Sequence, residues 1–175
     1  ITVHHACHAR AQNMGIKARD MLKLIPNVKI DVVERCAGHG GTFGVMKETH
    51  DLAKKVSKDL LEWVNKGYKV ITLTASCGLM LKFEWPLLLP NDENVKKLSS
   101  NVMDIDEYVV DISKNEGLVE GLGEIDGGIT VHHACHARAQ NMGIKARDML
   151  KLIPNVKIDV VERCAGHGGT FGVMK

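Results

Sequence analysis

Apolar residues along this chain fall into two rhythms that alternate. Short runs rich in β-branched residues, at positions 1–6, 28–33 and 68–74, predict strands. Between them the apolar positions recur at spacings of three and four. Met14, Ala18, Met21, Leu22 and Ile25 form one face of a helix that Pro26 and Asn27 stop. Val45, Leu52, Val56, Leu60 and Val64 form a longer one that Gly67 closes. The polar segment from His8 to Asn13 predicts a turn region, and the run from Gly38 to Gly44 is too rich in glycine for regular structure. Leu79 to Leu89 is apolar but broken by Lys82, Glu84 and Pro86, which fits a buried helical turn better than a strand. Asp104 and Glu107 have the spacing of a capping box ahead of Ile105, Tyr108, Val109 and Ile112, a helix face that Gly117 ends. Strands alternating with helices in this way define an α/β class with a largely parallel sheet and flanking helices.

A glycine-rich connector from Gly121 to Gly128 leads into residues 129–175, which repeat residues 1–47 without one substitution. Natural repeats keep a period while their surfaces drift, because solvent-facing positions are weakly constrained by packing. Identity that extends to lysines points instead to a recent duplication, an artificial fusion or a joining of overlapping sequence. The chain thus divides into a unit at 1–128 and a copy at 129–175 that completes or duplicates a half. Two identical arms share one preference for the sheet. Either both enter one continuous sheet, the arrangement expected here, or they compete and one is donated to another molecule in a domain-swapped homodimer.

Composition narrows the function classes. The formal charge is +2, and the lysines are interleaved with acids, so there is no basic stripe of the kind nucleic acid requires. No apolar run approaches the roughly 18–20 residues of a membrane-spanning helix, and the first residues lack a signal-peptide pattern. The expectation is a cytoplasmic protein that meets a membrane only through a partner. The five cysteines are an odd number at no short secreted-scaffold spacing, which favours reduced thiols or metal ligands over disulfides.

The candidate chemistry lies in where those cysteines fall. Ligands of open parallel α/β sheets bind beyond the carboxyl ends of the strands, and each of the first three expected strands is followed by a cysteine: Cys7, Cys36 and Cys77. The helices that follow would aim their free N–H groups at the same region and favour thiolates. The plainer alternative is that each is a small buried hydrophobe at the end of a core strand. His4 and His5 face opposite sides of their strand, so at most one can face a site beside Cys7. His8 and His39 fall in loops beside Cys7 and Cys36, and His39 is the best further ligand. A histidine hydrogen-bonded to backbone in a glycine-rich turn is its bland alternative. The glycine run has neither the lysine of a P-loop nor dinucleotide-site spacing.

The segments Ala-Cys-His-Ala-Arg-Ala-Gln-Asn-Met-Gly, Glu-Arg-Cys-Ala-Gly-His-Gly-Gly-Thr-Phe-Gly and Ser-Cys-Gly-Leu-Met-Leu-Lys-Phe-Glu-Trp-Pro, the last from Ser76, resemble the cysteine-rich CCG domain. That domain occurs in heterodisulfide reductase, in its B subunit, and in the C subunit of anaerobic glycerol-3-phosphate dehydrogenase. The resemblance implies two pseudo-symmetric CCG-like halves and an iron–sulfur cluster, such as 4Fe-4S, that passes electrons from a partner dehydrogenase or electron-carrier subunit. It implies that Cys7, Cys36 and Cys77 hold the metal, with Cys135 and Cys164 as the repeat's counterparts, and the loop reading adds His39, with His167 as its counterpart. The family's adjacent second cysteine is Ala37 or Ala165 here, and its last cysteine falls at Met80. Each half therefore lacks two thiolates, which leaves three cysteines and a histidine. Structural zinc at those ligands is one alternative function, and a metal-free duplicated fragment is another.

Overall fold

The computed structural model describes residues 1–38, 46–118 and 122–166, except for the side chains of residues 47–54 and 56. It separates into two compact units, Ile1–Asp104 and Ile105–Lys175.

The first unit is built on four short parallel strands, β1 (Thr2–His4), β2 (Asp31–Val33), β3 (Val70–Thr72) and β4 (Val102–Asp104), in the order β2-β1-β3-β4. The registers pair His4 with Val33, His4 with Thr72, and Thr72 with Asp104. These residues form one lateral row across the strand ends, and strand alternation puts the whole row on the same face as Val70 and Val102. That face carries the core, in which Ala6, Ala37, Leu60, Val64, Val70, Cys77, Met80, Leu81, Trp85, Val95, Leu98 and Val102 cluster.

The connections show where local chemistry set the element ends. Between β1 and β2 lie α1 (Cys7–Ala11) and α2 (Lys17–Leu22), so the expected polar turn at 8–13 is helical in its first part and the following helix is shorter than its periodicity predicts. Asn13 and Gly15, with positive φ, separate the two, and Asn27, also at positive φ, lies in the turn that follows α2. The long helix α3 (Lys47–Asn65) ends as expected at Gly67. Gly67 has φ +85, its N–H donates to the Val64 carbonyl, and the Tyr68 N–H donates to the Trp63 carbonyl. This is a Schellman stop, completed by tilted packing of the Trp63 and Tyr68 rings at 5.1 Å.

After β3 the expected buried helical turn is a longer helical run, α4 (Ala75–Leu79), a π-helical turn (Met80–Glu84) and α5 (Trp85–Leu88). Pro86 has no N–H and its ring crowds the carbonyl four residues back, and the widened π turn absorbs that misfit without ending the helix. Cys77, Met80, Leu81 and Trp85 are all buried, one face of the run. Two elements had no counterpart in the periodicity, α6 (Glu93–Ser99) and β4. Asp92 caps α6 by accepting from the N–H groups of Asn94 and Val95.

The second unit contains α7 (Ile105–Asn115), β5 (Ile129–His132), α8 (Cys135–Ala139), α9 (Lys145–Leu150) and β6 (Ile158–Val161). Asp104 immediately precedes α7 and Gly117, at φ +79, follows it, where the expected cap and stop lie. The repeated arm refolds the same strand, helices and strand. However, β5 and β6 form a separate two-stranded parallel sheet and do not extend the four-stranded one, which corrects the expectation of one continuous sheet. Identical sequence thus meets two environments. Thr2, Val3 and His4 are fully buried between β2 and β3, whereas Thr130 and His132 are exposed on β5.

His4 makes the cost of that central position measurable. Its Nε2 meets the Arg35 carbonyl at 3.0 Å while its buried Nδ1 has no partner, and burial lowers its pKa to about 4. A group with a depressed pKa contributes stability that is complete above about pH 6.5 and is lost as pH falls through about 4, roughly 3 kcal/mol in all for this shift. Urea unfolding measured across that window should show the loss in the native chain and in His132→Asn, and a much flatter profile in His4→Asn.

Candidate functional site

Three of the residues singled out by sequence meet at the carboxyl edge of the four-stranded sheet. Cys7 is the first residue of α1, Cys36 lies in the loop after β2, and Cys77 sits in the first turn of α4. Cys7 and Cys36 are partly exposed and Cys77 is buried. Their mutual influence shows that they share one environment. Burial raises the Cys36 thiol, the Gly38 N–H at 3.4 Å from its Sγ opposes this, the neighbouring Cys7 thiol raises it further, and the Arg10 charge lowers it. Burial, then the neighbouring Cys7 and Cys36, push Cys77 up to about 12 against hydrogen bonds from Ser76 and the Ala37 backbone. In the absence of a cation Cys77 therefore holds its proton.

The loop that carries Cys36 is fixed from beneath. Ala37 is fully buried, and its carbonyl accepts the Trp85 indole N–H at 3.3 Å. Its backbone also serves the Cys77 sulfur, so the position where the resemblance places a second adjacent cysteine acts here through main-chain atoms. Sequence reading missed Trp85, Arg10 and the buried Thr72 hydroxyl, which donates to Asp104 Oδ1 at 2.6 Å. Only Trp85 had a readable signal, a spacing of eight residues from Cys77 on one helical face.

The histidines are placed otherwise. His8 is the second residue of α1, not a loop residue. His4 meets the Arg35 carbonyl, and His5 meets Glu34 Oε1 at 3.2 Å. His39 and His167 lie outside the described residues. In the repeat, Cys135 Sγ is 3.8 Å from His136 Nδ1, and Cys164, which is exposed, accepts from the Gly166 N–H at 3.3 Å. Among the described residues no group of three or more His, Cys, Asp or Glu side chains is gathered round a point that one metal ion could occupy. Nor is any described helix long and apolar enough to cross a membrane.

Residues 1–82 match the model of the CCG cysteine-rich domain. Among curated proteins, lactate utilization protein A of Bacillus cereus (strain G9842) is 28% identical over 134 residues, covering 70% of this chain and 53% of that protein. Its namesake from Macrococcus caseolyticus (strain JCSC5402) is 27% identical over 174 residues, covering 93% of this chain and 67% of its own. The one from Bacillus cytotoxicus is 27% identical over 132 residues, covering 69% and 52%. The chain spans about half to two-thirds of the length of these relatives. No solved structure matches it.

The Trp85–Ala37 hydrogen bond gives the site a testable dependence on the core. Trp85→Phe leaves a buried carbonyl without its donor, which costs about 1–3 kcal/mol. Urea unfolding should show a loss of that size, and alkylation of Cys77 by a small reagent should speed up in the variant as the loop loosens.

Proposed function

We propose that the first unit is an iron–sulfur electron-transfer module, held by Cys7, Cys36 and Cys77, in an oxidoreductase system of the lactate-utilising kind named for its relatives. The observation that supports a metal-bound cluster most is that three thiols, each following a different strand of one sheet, lie at the same carboxyl edge and perturb one another. The donor set fits such a group in kind, since thiolates suit iron, and backbone N–H groups already bond to the sulfurs of Cys36 and Cys77. When bound, the cluster supplies one-electron transfer. The chain's own residues provide the rest: Cys7 and Cys36 at the accessible side, Cys77 anchored in the core, and Arg10 as a positive charge that balances the thiolates. His39 completes the ligand set in this reading, and Cys135, Cys164 and His167 form the incomplete counterpart in the repeat. The partner is a dehydrogenase or electron-carrier subunit. A lactate system is favoured over the glycerol-3-phosphate and heterodisulfide systems because the relatives carry that name.

Loading must remove protons from thiols whose pKa values lie above the ordinary range, so it is coupled to pH. Protein prepared without oxygen should take up iron and sulfide and turn brown, with uptake falling as the medium is acidified. Cys36→Ser should lose most of that iron, while Cys164→Ser should keep it. Zinc uptake without colour would replace the cluster by the zinc reading.

The repeated arm has a second role in this proposal, as the partial half of a two-half protein, with exchange of arms between copies as its competing fate. Deleting residues 129–175 should lower stability or change the oligomeric state, as read by circular dichroism and light scattering. A truncated chain that is monomeric and equally stable would sink the two-half reading.

A further inference from the structure

We propose that the outer edge of β2 is the docking surface for a second copy of this chain, whose own β2 pairs with it antiparallel and joins the two four-stranded sheets into one. β2 is an edge strand of the order β2-β1-β3-β4, and among the described residues no strand pairs on its outer side. Its inner side is used. The Asp31 N–H donates to the Ile1 carbonyl, the Val33 carbonyl accepts from the His5 N–H, and the Arg35 carbonyl accepts from His4 Nε2, so these three residues turn their main chain towards β1. By alternation Val32 and Glu34 turn theirs outward. An open groove of about 640 Å³ runs beside them, with Ile16, Val32, Val33 and Trp63 in its lining. The charged side chains that line it already have partners: Arg19 with Asp20, Glu34 with His5, Arg35 with Asp59, and Glu62 with Lys66. What remains for an occupant is apolar surface and main-chain donors and acceptors, which is what an added strand uses.

Charge picks that strand. Two copies related by a two-fold axis within one sheet pair β2 with β2 antiparallel. With Val33 opposite Val33 of the second copy, Val32 faces Glu34 and exchanges hydrogen bonds with it, while Asp31 faces Arg35. The run Asp-Val-Val-Glu-Arg at 31–35 therefore complements itself through two opposite-charge pairs. Sliding the pairing by two residues sets Lys29 against Arg35 in one direction and Glu34 against Glu34 in the other. A slide of one residue turns an outward main chain towards an inward one. Arg35 is held ready for the favoured register, because its Nε donates to Asp59 Oδ2 at 3.1 Å and its two terminal nitrogens remain donors for Asp31 of the second copy. β6 carries the same five residues at 159–163, but Asp59 and Trp63 lie outside the duplicated stretch, so β6 has no counterpart of either. The inference does not depend on the cluster reading.

The test is sedimentation equilibrium of the full chain over a range of concentrations, which should show monomers and dimers in exchange. Val32→Pro removes an outward N–H at an edge position, where proline is tolerated, and should leave the chain folded by circular dichroism but monomeric. Asp31→Lys makes both charged pairs repulsive and should raise the dissociation constant by about tenfold or more, and adding Arg35→Glu should bring most of the affinity back. The same changes on the duplicate edge, Val160→Pro and Asp159→Lys, should leave the dimer as it is. If Val32→Pro does not fold, the charge series decides alone. A chain that is monomeric at every concentration, as it would be if this edge served a different partner, overturns the proposal. So does a dimer that survives Asp31→Lys undiminished, as one made by exchange of arms would, or a dimer lost in Asp159→Lys instead.

Discussion

The geometry of the thiol edge depends on one hydrogen bond buried in the core. The Trp85 indole donates to the Ala37 carbonyl and so ties the loop after β2 to the helical run after β3. Both ends are desolvated, which makes the bond costly to lose and the loop's position well determined. Because Ala37 lies between Cys36 and the Gly38 N–H that bonds the Cys36 sulfur, fixing one backbone unit fixes a thiol. The same backbone reaches Cys77. The π turn at Met80–Glu84 belongs to this constraint too, since it carries the helix past Pro86 with Trp85 still facing the core.

Much of this could be read from the chain. Each of the first three strands was legible because β-branched runs between helical periodicities have few other solutions, and the cysteine after each followed directly. Strand lengths were not legible. The expected run at 28–33 pairs only over Asp31–Val33, because the neighbouring strand β1 starts at Thr2, opposite Asp31. The α6–β4 segment was missed because Val95, Leu98 and Val102 are too few to show a period, although Asp92 after Pro90 and Asn91 is a capping signal. At the site, sequence supplied the three sulfurs and not what holds them. Backbone donors from Gly38 and Ala37 leave no trace in side-chain identity, and the polar row of His4, Thr72 and Asp104 emerges only from cross-strand register.

The repeat shows how far context decides. Ala37 is fully buried against Trp85, and Ala165, its duplicate, is exposed. Leu22 is fully buried, while its duplicate Leu150 is only partly so. Local structure survives in both copies, down to the positive φ of Asn13 and Asn141 and the glycine donor to the second cysteine. The arm therefore encodes its strand–helix–strand path locally and relies on its neighbours for burial. A thiol site needs the second property as well as the first, which is why the cysteines cooperate where β3 and the helical run are also present.

The two faces of this duplication make the chain its own reference sample. Amide hydrogens of β1 and β5 have the same side chains on either side, so their chemical rates of exchange with deuterated solvent are the same, apart from the chain-end effect at Ile1. Any difference in protection between Val3 and Val131, or between His4 and His132, then measures tertiary structure alone, with no correction for sequence. Few proteins offer that comparison within one molecule at one temperature and pH. Here it would report, residue by residue, the free energy that a central place in a sheet confers on a strand that can also stand at an edge.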